Sequence, residues 1–498
     1  MPPGNVAFVL TAHMPYLRDP GRSPVGEDAL HHLIATSLVP TLTTLYDLHE
    51  QGLHVRVGLA WSPLLLEQLA DPVVQKHFGF WLDDQFARLG ATVMVDTAIG
   101  RAERVYLAQF YHEWATGIRK AFDERFGRNL VAALRQLCDD GLIEPLASAA
   151  TRPPAAVLER PASCRAQCDL GMLAVARRLG RPQGFWLPGQ RVRPATLDAV
   201  IATGAAYAII DPALLPAGVS HLRPYVLPHQ RLGLLAHDPA VAPYLHTPQL
   251  DYSGDPLYRA DARDADGFAW LRNGLGQAGE AYDPYDAFRR AQEHALHFAN
   301  LLATELVQPA PPPDAPGCAV VALDAGLLGG HWFEGAAWFA ALLAEINGRA
   351  DLALVTPAAC LHGQRPRRAI ALPAEEQRSE QPGNQNRFSR AAAGRAVEAR
   401  LAALIQRMPE ASGDRERVFQ QAARELLLAQ MGGAPEDQPV PELGPRTMRH
   451  LVRCVQLCEL AELPNLTDAN LTLLETLEEQ DNPFPYLNYR MLAPVDAA

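Results

Sequence analysis

Short apolar runs alternate with longer amphipathic stretches along most of the chain. The runs predict buried strands at residues 5–11, 54–60, 142–146, 184–188, 207–211, 232–236, 318–323 and 352–355. Between them, apolar residues recur at helical spacing, for example in residues 30–49 and 194–203. Strands that alternate with helices in this way are typical of a parallel sheet with helical crossovers.

Two arrangements fit such a sheet, a closed barrel and an open doubly wound sheet. The first strand runs into residues 12–18, which lack the Gly-rich phosphate loop of a dinucleotide-binding fold. We therefore predict an α/β fold built on a closed parallel barrel. The pattern from Leu64 to Leu142 is almost entirely helical and is too long for one crossover helix. It predicts a helical insertion at about residues 64–141.

The pattern changes again after residue 372. Residues 373–390 are polar and charged, and this composition predicts a linker or loop between two domains. Apolar residues at helical spacing then return. We therefore predict that the barrel spans residues 1–372 and that a helical domain spans residues 391–498. We expect the helical domain to pack near the functional face of the barrel. Its predicted helices are residues 391–407, 414–431, 445–463 and 468–480.

Composition limits the classes of function. The chain has 498 residues, of which 48% are hydrophobic, and a formal charge of −12. No segment concentrates the lysine and arginine that a nucleic-acid surface needs, and the apolar runs are too short to cross a membrane. The N-terminal segment lacks the features of a signal peptide, so we expect a cytoplasmic location. The seven cysteines do not indicate a disulfide framework.

Histidine and cysteine pairs could indicate a metal site. Their spacings place some of them on one helix face, yet no second pair follows at the distance that zinc sites use. Buried thiols and ordinary helix-face histidines explain the pairs better. We predict no metal site and no cofactor; the pairs are Cys164 with Cys168, Cys454 with Cys458, His31 with His32, and His294 with His297.

The strongest candidate for chemistry is a single acid at the end of a strand. The apolar run 318–323 ends on Asp324, and a Gly-rich turn follows it with Trp332 and Phe333. Function in parallel barrels lies at the carboxyl ends of the strands. Asp324 is therefore a candidate catalytic carboxylate beside flat rings on which a sugar could pack. Alternatively, Asp324 caps the next helix and both rings belong to the core.

Other strand ends offer polar and aromatic groups that would meet at the same rim. His13 and Tyr16 follow the first strand, whereas Trp186 and Asp211 end later ones. The predicted substrate-binding residues are therefore His13, Tyr16, Trp186, Asp211, Trp332 and Phe333.

Several motifs, in chain order, resemble those of glycoside hydrolase family 57, and above all its α-glucan branching enzymes. They lie in residues 8–18, 141–151, 184–188, 252–259, 281–298, 324–335, 420–430 and 481–485. The resemblance implies an incomplete (β/α)7 barrel with a helical insertion and an all-helical C-terminal domain. It also implies an α-glucan or maltooligosaccharide as the ligand.

The resemblance further implies a retaining mechanism with two carboxylates, a nucleophile and a general acid/base. Asp324 matches the general acid/base. The nucleophile belongs directly after Trp-Leu-Pro, where this chain has Gly189, followed by Gln190 as a further substrate-binding candidate. A glycine cannot attack an anomeric carbon. Other departures from the family pattern surround the site, at Thr11, Arg152, Gly326 and Gly330.

Three hypotheses remain open at this point. The first is a family relative that binds an α-glucan, or regulates a glucan-handling partner, without branching or hydrolytic activity. The second is an active enzyme in which another acid replaces the nucleophile; Glu144, Asp211 and Glu334 could do so. Each of these acids also has an ordinary structural role at a strand end or helix start. The third is a scaffold that binds no sugar.

Overall fold

The computed structural model describes residues 4–19, 26–154, 160–187, 193–246, 251–264, 267–274, 279–307, 317–363, 368–372, 385–433 and 443–493. One sheet lies at its centre. Its strands in these ranges are β1 Gly4–Ala12, β2 Val57–Trp61, β3 Ile143–Ser148, β4 Gly184–Trp186, β5 Tyr207–Ile210, β6 Tyr225–Val226, β7 Gly233–Ala236, β8 Cys318–Asp324 and β9 Leu352–Leu354.

Seven strands run parallel in the order β7-β5-β4-β3-β2-β1-β8. The short strand β6 pairs antiparallel with β7, and β9 pairs with the start of β1. A single bridge between His237 and Val320 joins the chain after β7 to β8. The sheet thus curves back on itself without a full ladder at the seam, which confirms the predicted incomplete (β/α)7 barrel.

Helices cover the outside of this sheet and continue beyond it. Those in the barrel part are α1 Asp28–Leu33, α2 Val39–Glu50, α3 Pro63–Ala70, α4 Pro72–Ala98, α5 Ala102–Lys120, α6 Leu130–Asp139, α7 Pro161–Leu179, α8 Pro194–Ala202, α9 Pro243–His246, α10 Pro284–Val307, α11 Gly335–Asn347 and α12 Pro357–Gly363. Helices α3 to α6 lie between β2 and β3, in the interval from which the insertion was predicted.

The C-terminal part is helical, as predicted. It contains α13 Gln385–Arg407, α14 Asp414–Ala429, α15 Leu443–Glu462 and α16 Asp468–Gln480. Its apolar core is continuous with the barrel, because Tyr16 and Leu64 pack in the same cluster as Leu426 and Leu457. Helix α13 begins at Gln385; residues 373–384 of the proposed linker lie outside the described residues.

Side chains alternate along the strands between the helices and the barrel interior. In β8, Val321 and Leu323 pack with the surrounding helices, whereas Val320 packs in the interior. Because side chains alternate with a period of two residues, the Asp324 side chain lies on the interior side, at the carboxyl end of the strand. Thr11 of β1 lies directly opposite it in the ladder.

The structure adds one covalent link that the sequence did not indicate. The sulfur atoms of Cys318, at the start of β8, and Cys360, in α12, are bonded, with their Cα atoms 6.1 Å apart. No helix among the described residues has both the length and the apolar character that a membrane span requires.

Candidate functional site

The Asp324 carboxylate is held by two donors at the end of β8. The backbone N–H of Gly326 donates to Oδ1 at 2.7 Å, and the Thr11 hydroxyl donates to Oδ2 at 3.3 Å. Asp324 does not cap the next helix, since α11 begins at Gly335 with Glu334 before it. The carboxylate is thus oriented by its own turn and by the neighbouring strand.

A positive charge faces this carboxylate from the loop after β3. Arg152 has a left-handed backbone with φ of 45°, which is uncommon for a residue other than glycine. Burial lowers the pKa of Arg152, and the nearby charge of Asp324 partly reverses that shift. The site therefore pairs an anionic group with a desolvated guanidinium.

The third polar group of the site is the buried imidazole of His13, which follows β1. Its Nδ1 lies 2.8 Å from the Ser62 hydroxyl and its Nε2 lies 3.2 Å from the Gly432 carbonyl oxygen. Because a carbonyl oxygen only accepts, Nε2 carries the proton and Ser62 donates to Nδ1. Burial and the charge of Arg152 lower the pKa of His13 to about 3. His13 is thus a neutral donor that links the barrel to the segment after α14.

That segment covers one side of the barrel rim. The backbone N–H of Gly432 donates to the Thr151 carbonyl oxygen at 3.0 Å, and the N–H of Tyr16 donates to the sulfur of Met431 at 3.2 Å. A Cβ atom on Gly432 would lie 2.1 Å from the Arg152 carbonyl oxygen. The helical domain thus approaches the Asp324 site through backbone atoms, and glycine permits the contact.

The four rings predicted to form a sugar platform are buried instead. The Tyr16 hydroxyl donates to the Gln480 carbonyl oxygen at 3.3 Å, at the contact between the barrel and α16. None of the four offers a free face to a sugar ring, since their exposed fractions are 3% for Tyr16, 4% for Trp186, 2% for Trp332 and 6% for Phe333.

Core packing explains why these rings are covered. Trp332 lies 5.1 Å from the Trp338 ring in an aromatic cluster beneath α11. The Arg259 guanidinium stacks over Phe333 at 4.2 Å. Trp186 packs in the barrel interior and shares that face with Asp324. The four rings therefore pack in the core and do not form an exposed platform.

The acids that could replace a nucleophile are engaged elsewhere. Glu144 lies near the start of β3, where it accepts from the Tyr207 hydroxyl at 2.6 Å and from a backbone N–H of α12 at 2.8 Å. Burial raises its pKa. Glu334 is buried and accepts from the Arg259 backbone N–H at 3.1 Å. Asp211 accepts from the backbone of the turn that it begins, at 2.8 Å.

The nucleophile position itself lies outside the described residues, which end at Leu187 after β4 and resume at residue 193. Neither Gly189 nor Gln190 is therefore described. Their roles rest on the sequence alone.

A second buried polar cluster lies where α14, α15 and the end of α16 meet. Ligand-type atoms of Glu425, His450 and Asp481 lie within 4.8 Å of one another. Burial raises the pKa of Glu425 to about 7 and lowers that of His450 to about 4. The Arg453 guanidinium contacts Asp481 and supplies a positive charge to this cluster. His450 Nδ1 lies 2.7 Å from Glu425 Oε2, and the His450 and Tyr16 ring centroids lie 6.2 Å apart, so the cluster borders the barrel at Tyr16.

Comparisons with known proteins agree with this architecture. The 1,4-alpha-glucan branching enzyme TK1436 of Thermococcus kodakarensis is 25% identical over 531 aligned positions, covering 97% of this chain and 77% of that enzyme. Its crystal structure superposes with a TM-score of 0.87 at 24% identity, covering 98% and 96% of the two chains. The α-amylase AmyC of Thermotoga maritima gives a TM-score of 0.88 at 21% identity and full coverage of both chains.

Two family models match the sequence directly. The model of the C-terminal domain of 1,4-alpha-glucan branching enzymes matches residues 395–492, which include most of α13 and all of α14 to α16. The model of glycosyl hydrolase family 57 matches residues 7–300, more than half of the chain. The chain therefore belongs to glycosyl hydrolase family 57.

Proposed function

We propose that this protein is a branching-enzyme-like member of the family that acts in α-glucan metabolism without branching or hydrolytic turnover. The observation that carries the proposal is Gly189 at the nucleophile position. A retaining mechanism needs a side chain that forms a covalent glycosyl intermediate, and glycine has none. The engagement of Glu144, Asp211 and Glu334 in structural hydrogen bonds supports the same conclusion.

The surroundings of Asp324 also favour loss of activity. A general acid must hold a proton when the glycosidic bond breaks, and a nearby cation favours the charged form of a carboxyl group. Arg152 brings such a cation to Asp324. His13 cannot replace the acid, since it is neutral and its Nε2–H is already bonded to the Gly432 carbonyl oxygen.

Turnover is the direct test of this proposal. Purified protein is incubated with amylose, and both iodine absorbance and reducing ends are followed over time. We expect the unmodified protein to be indistinguishable from Asp324→Asn. The matched control Asp169→Asn changes a partly exposed acid of α7 that pairs with Arg165. Turnover that persists in Asp169→Asn and disappears in Asp324→Asn would contradict the proposal.

Glucan binding without turnover is the remaining part of the proposed role. With the four rings buried, a bound sugar would rely on polar groups such as Asp324, whose desolvation offsets most of the gain. We therefore expect a dissociation constant for maltoheptaose of about 1 mM or weaker. Isothermal titration calorimetry measures it. Micromolar binding would show instead that an apolar sugar platform forms.

A further inference from the structure

A cavity of about 470 Å³ lies on the helical-insertion side of the barrel. Its walls come from α1, α4, α5, the chain around residues 259–268 and the turn at Gly330. Asp324, Thr11, His13 and Arg152 are not among the residues that line it. Gly330 does line it and belongs to the turn that follows Asp324, so the cavity adjoins the candidate site. Its size suits a small molecule.

A buried arginine in this cavity has two side-chain nitrogen atoms without a hydrogen-bond partner among the described residues, although Tyr111 contacts the same side chain. Arg259 is only 9% exposed, and its guanidinium stacks on the Phe333 ring. Within the described part of the chain, neither Nε nor Nη2 of Arg259 has a hydrogen-bond partner. A buried donor without an acceptor costs free energy, more so when it is charged. The wall of the cavity therefore presents donors that an anionic ligand could satisfy.

Positive charge accumulates around Arg259. The positive charges of Arg259 and Arg263 repel each other. Burial lowers the pKa of His32, and the charges of Arg263 and Arg259 lower it further. Arg259 and Arg263 therefore place like charges at the cavity wall, with Arg263 on its exposed side.

The acids near the cavity offset part of this charge. The carboxylate of Asp261 pairs with His331 at 2.5 Å and also attracts Arg263 and Arg259. Glu334 is buried and attracts Arg259, and Asp28 lines the cavity from the exposed start of α1. Within the described residues, Nε and Nη2 of Arg259 still lack a hydrogen-bond partner, so a phosphate could accept from them.

The remaining walls are aromatic. Trp81, Trp114, Tyr111 and Phe268 line the same cavity. Such rings pack against the flat apolar face of a ligand. The planar guanidinium group of arginine has paired N–H donors that match the oxygen atoms of a phosphate group. We propose that this cavity binds a small phosphomonoester, with Arg259 and Arg263 holding the phosphate and the aromatic walls covering the ring that carries it.

Calorimetry at low ionic strength tests the proposal, with glucose 1-phosphate, glucose and inorganic phosphate as probes. We expect glucose 1-phosphate to bind at least about tenfold more tightly than glucose, and inorganic phosphate to compete with it. Arg263→Gln should weaken glucose 1-phosphate binding by about tenfold or more. The matched control Arg165→Gln, on the surface of α7, should leave it unchanged. Arg263 is exposed, so its replacement should not disturb folding.

Three results would overturn the proposal. The first is that glucose 1-phosphate and inorganic phosphate show no binding tighter than about 10 mM. The second is an equal affinity in Arg263→Gln and Arg165→Gln. The third is tighter binding of glucuronate than of glucose 1-phosphate, which would assign the arginines to a carboxylate. None of these outcomes depends on turnover at Asp324, so the test is independent of the proposed loss of activity.

Discussion

Replacing Gly432 by alanine is expected to lower the free energy of unfolding by about 3 kcal/mol. The added Cβ would lie 2.1 Å from the Arg152 carbonyl oxygen, well inside any tolerable contact. That oxygen belongs to the backbone, so it cannot swing aside as a side chain could. Relief would require the segment after α14 to move away, which would break the bonds from Gly432 to Thr151 and His13.

The neighbouring glycine supplies the control for this experiment. A Cβ on Gly433 would lie 3.0 Å from the end of the Leu443 side chain, which can rotate away. We therefore expect Gly433→Ala to cost less than about 1 kcal/mol. Urea unfolding of the two variants measures the difference. Equal midpoints would show that the helical domain does not depend on close backbone contact at Gly432.

The strands could be predicted because each apolar run carries its own signal. The run at residues 54–60 illustrates the limit of this approach, since β2 begins only at Val57. Pairing with β3 starts at Val57, whereas the backbone of His54 bonds to the Asn347 side chain. Apolar character thus identifies a buried segment, and the partner strand decides where the ladder starts.

The site could be predicted only in part. The position of Asp324 at the end of a buried strand could be predicted, because an apolar run that ends on an acid is visible in the local sequence. The burial of Tyr16 could not be predicted from the local sequence, because the residues that cover it lie near Gln480. The bond between His13 and Gly432 spans 419 positions and depends on how two parts of the chain pack. Spacing along the chain cannot distinguish a ring at the rim from a ring inside the core.

Lowering the pH from about 7.5 to about 5 should cost the unmodified protein roughly 2 kcal/mol of stability through His13 alone. Burial and Arg152 lower the pKa of this residue to about 3, whereas an unfolded chain has a histidine pKa near 6.5. The unfolded state therefore binds the proton first as the pH falls. The stabilising effect of neutral His13 is complete above pH 6.5 and is lost progressively toward pH 3.

The variant His13→Gln isolates this contribution. Glutamine can donate to the Gly432 carbonyl oxygen and accept from Ser62, but it does not titrate. Other buried histidines, such as His450, titrate equally in both proteins and cancel in the comparison. We expect the stability advantage of the unmodified protein over the variant to shrink by roughly 2 kcal/mol between the two pH values. Parallel stability curves would mean that the His13 imidazole is protonated or solvated in the folded state.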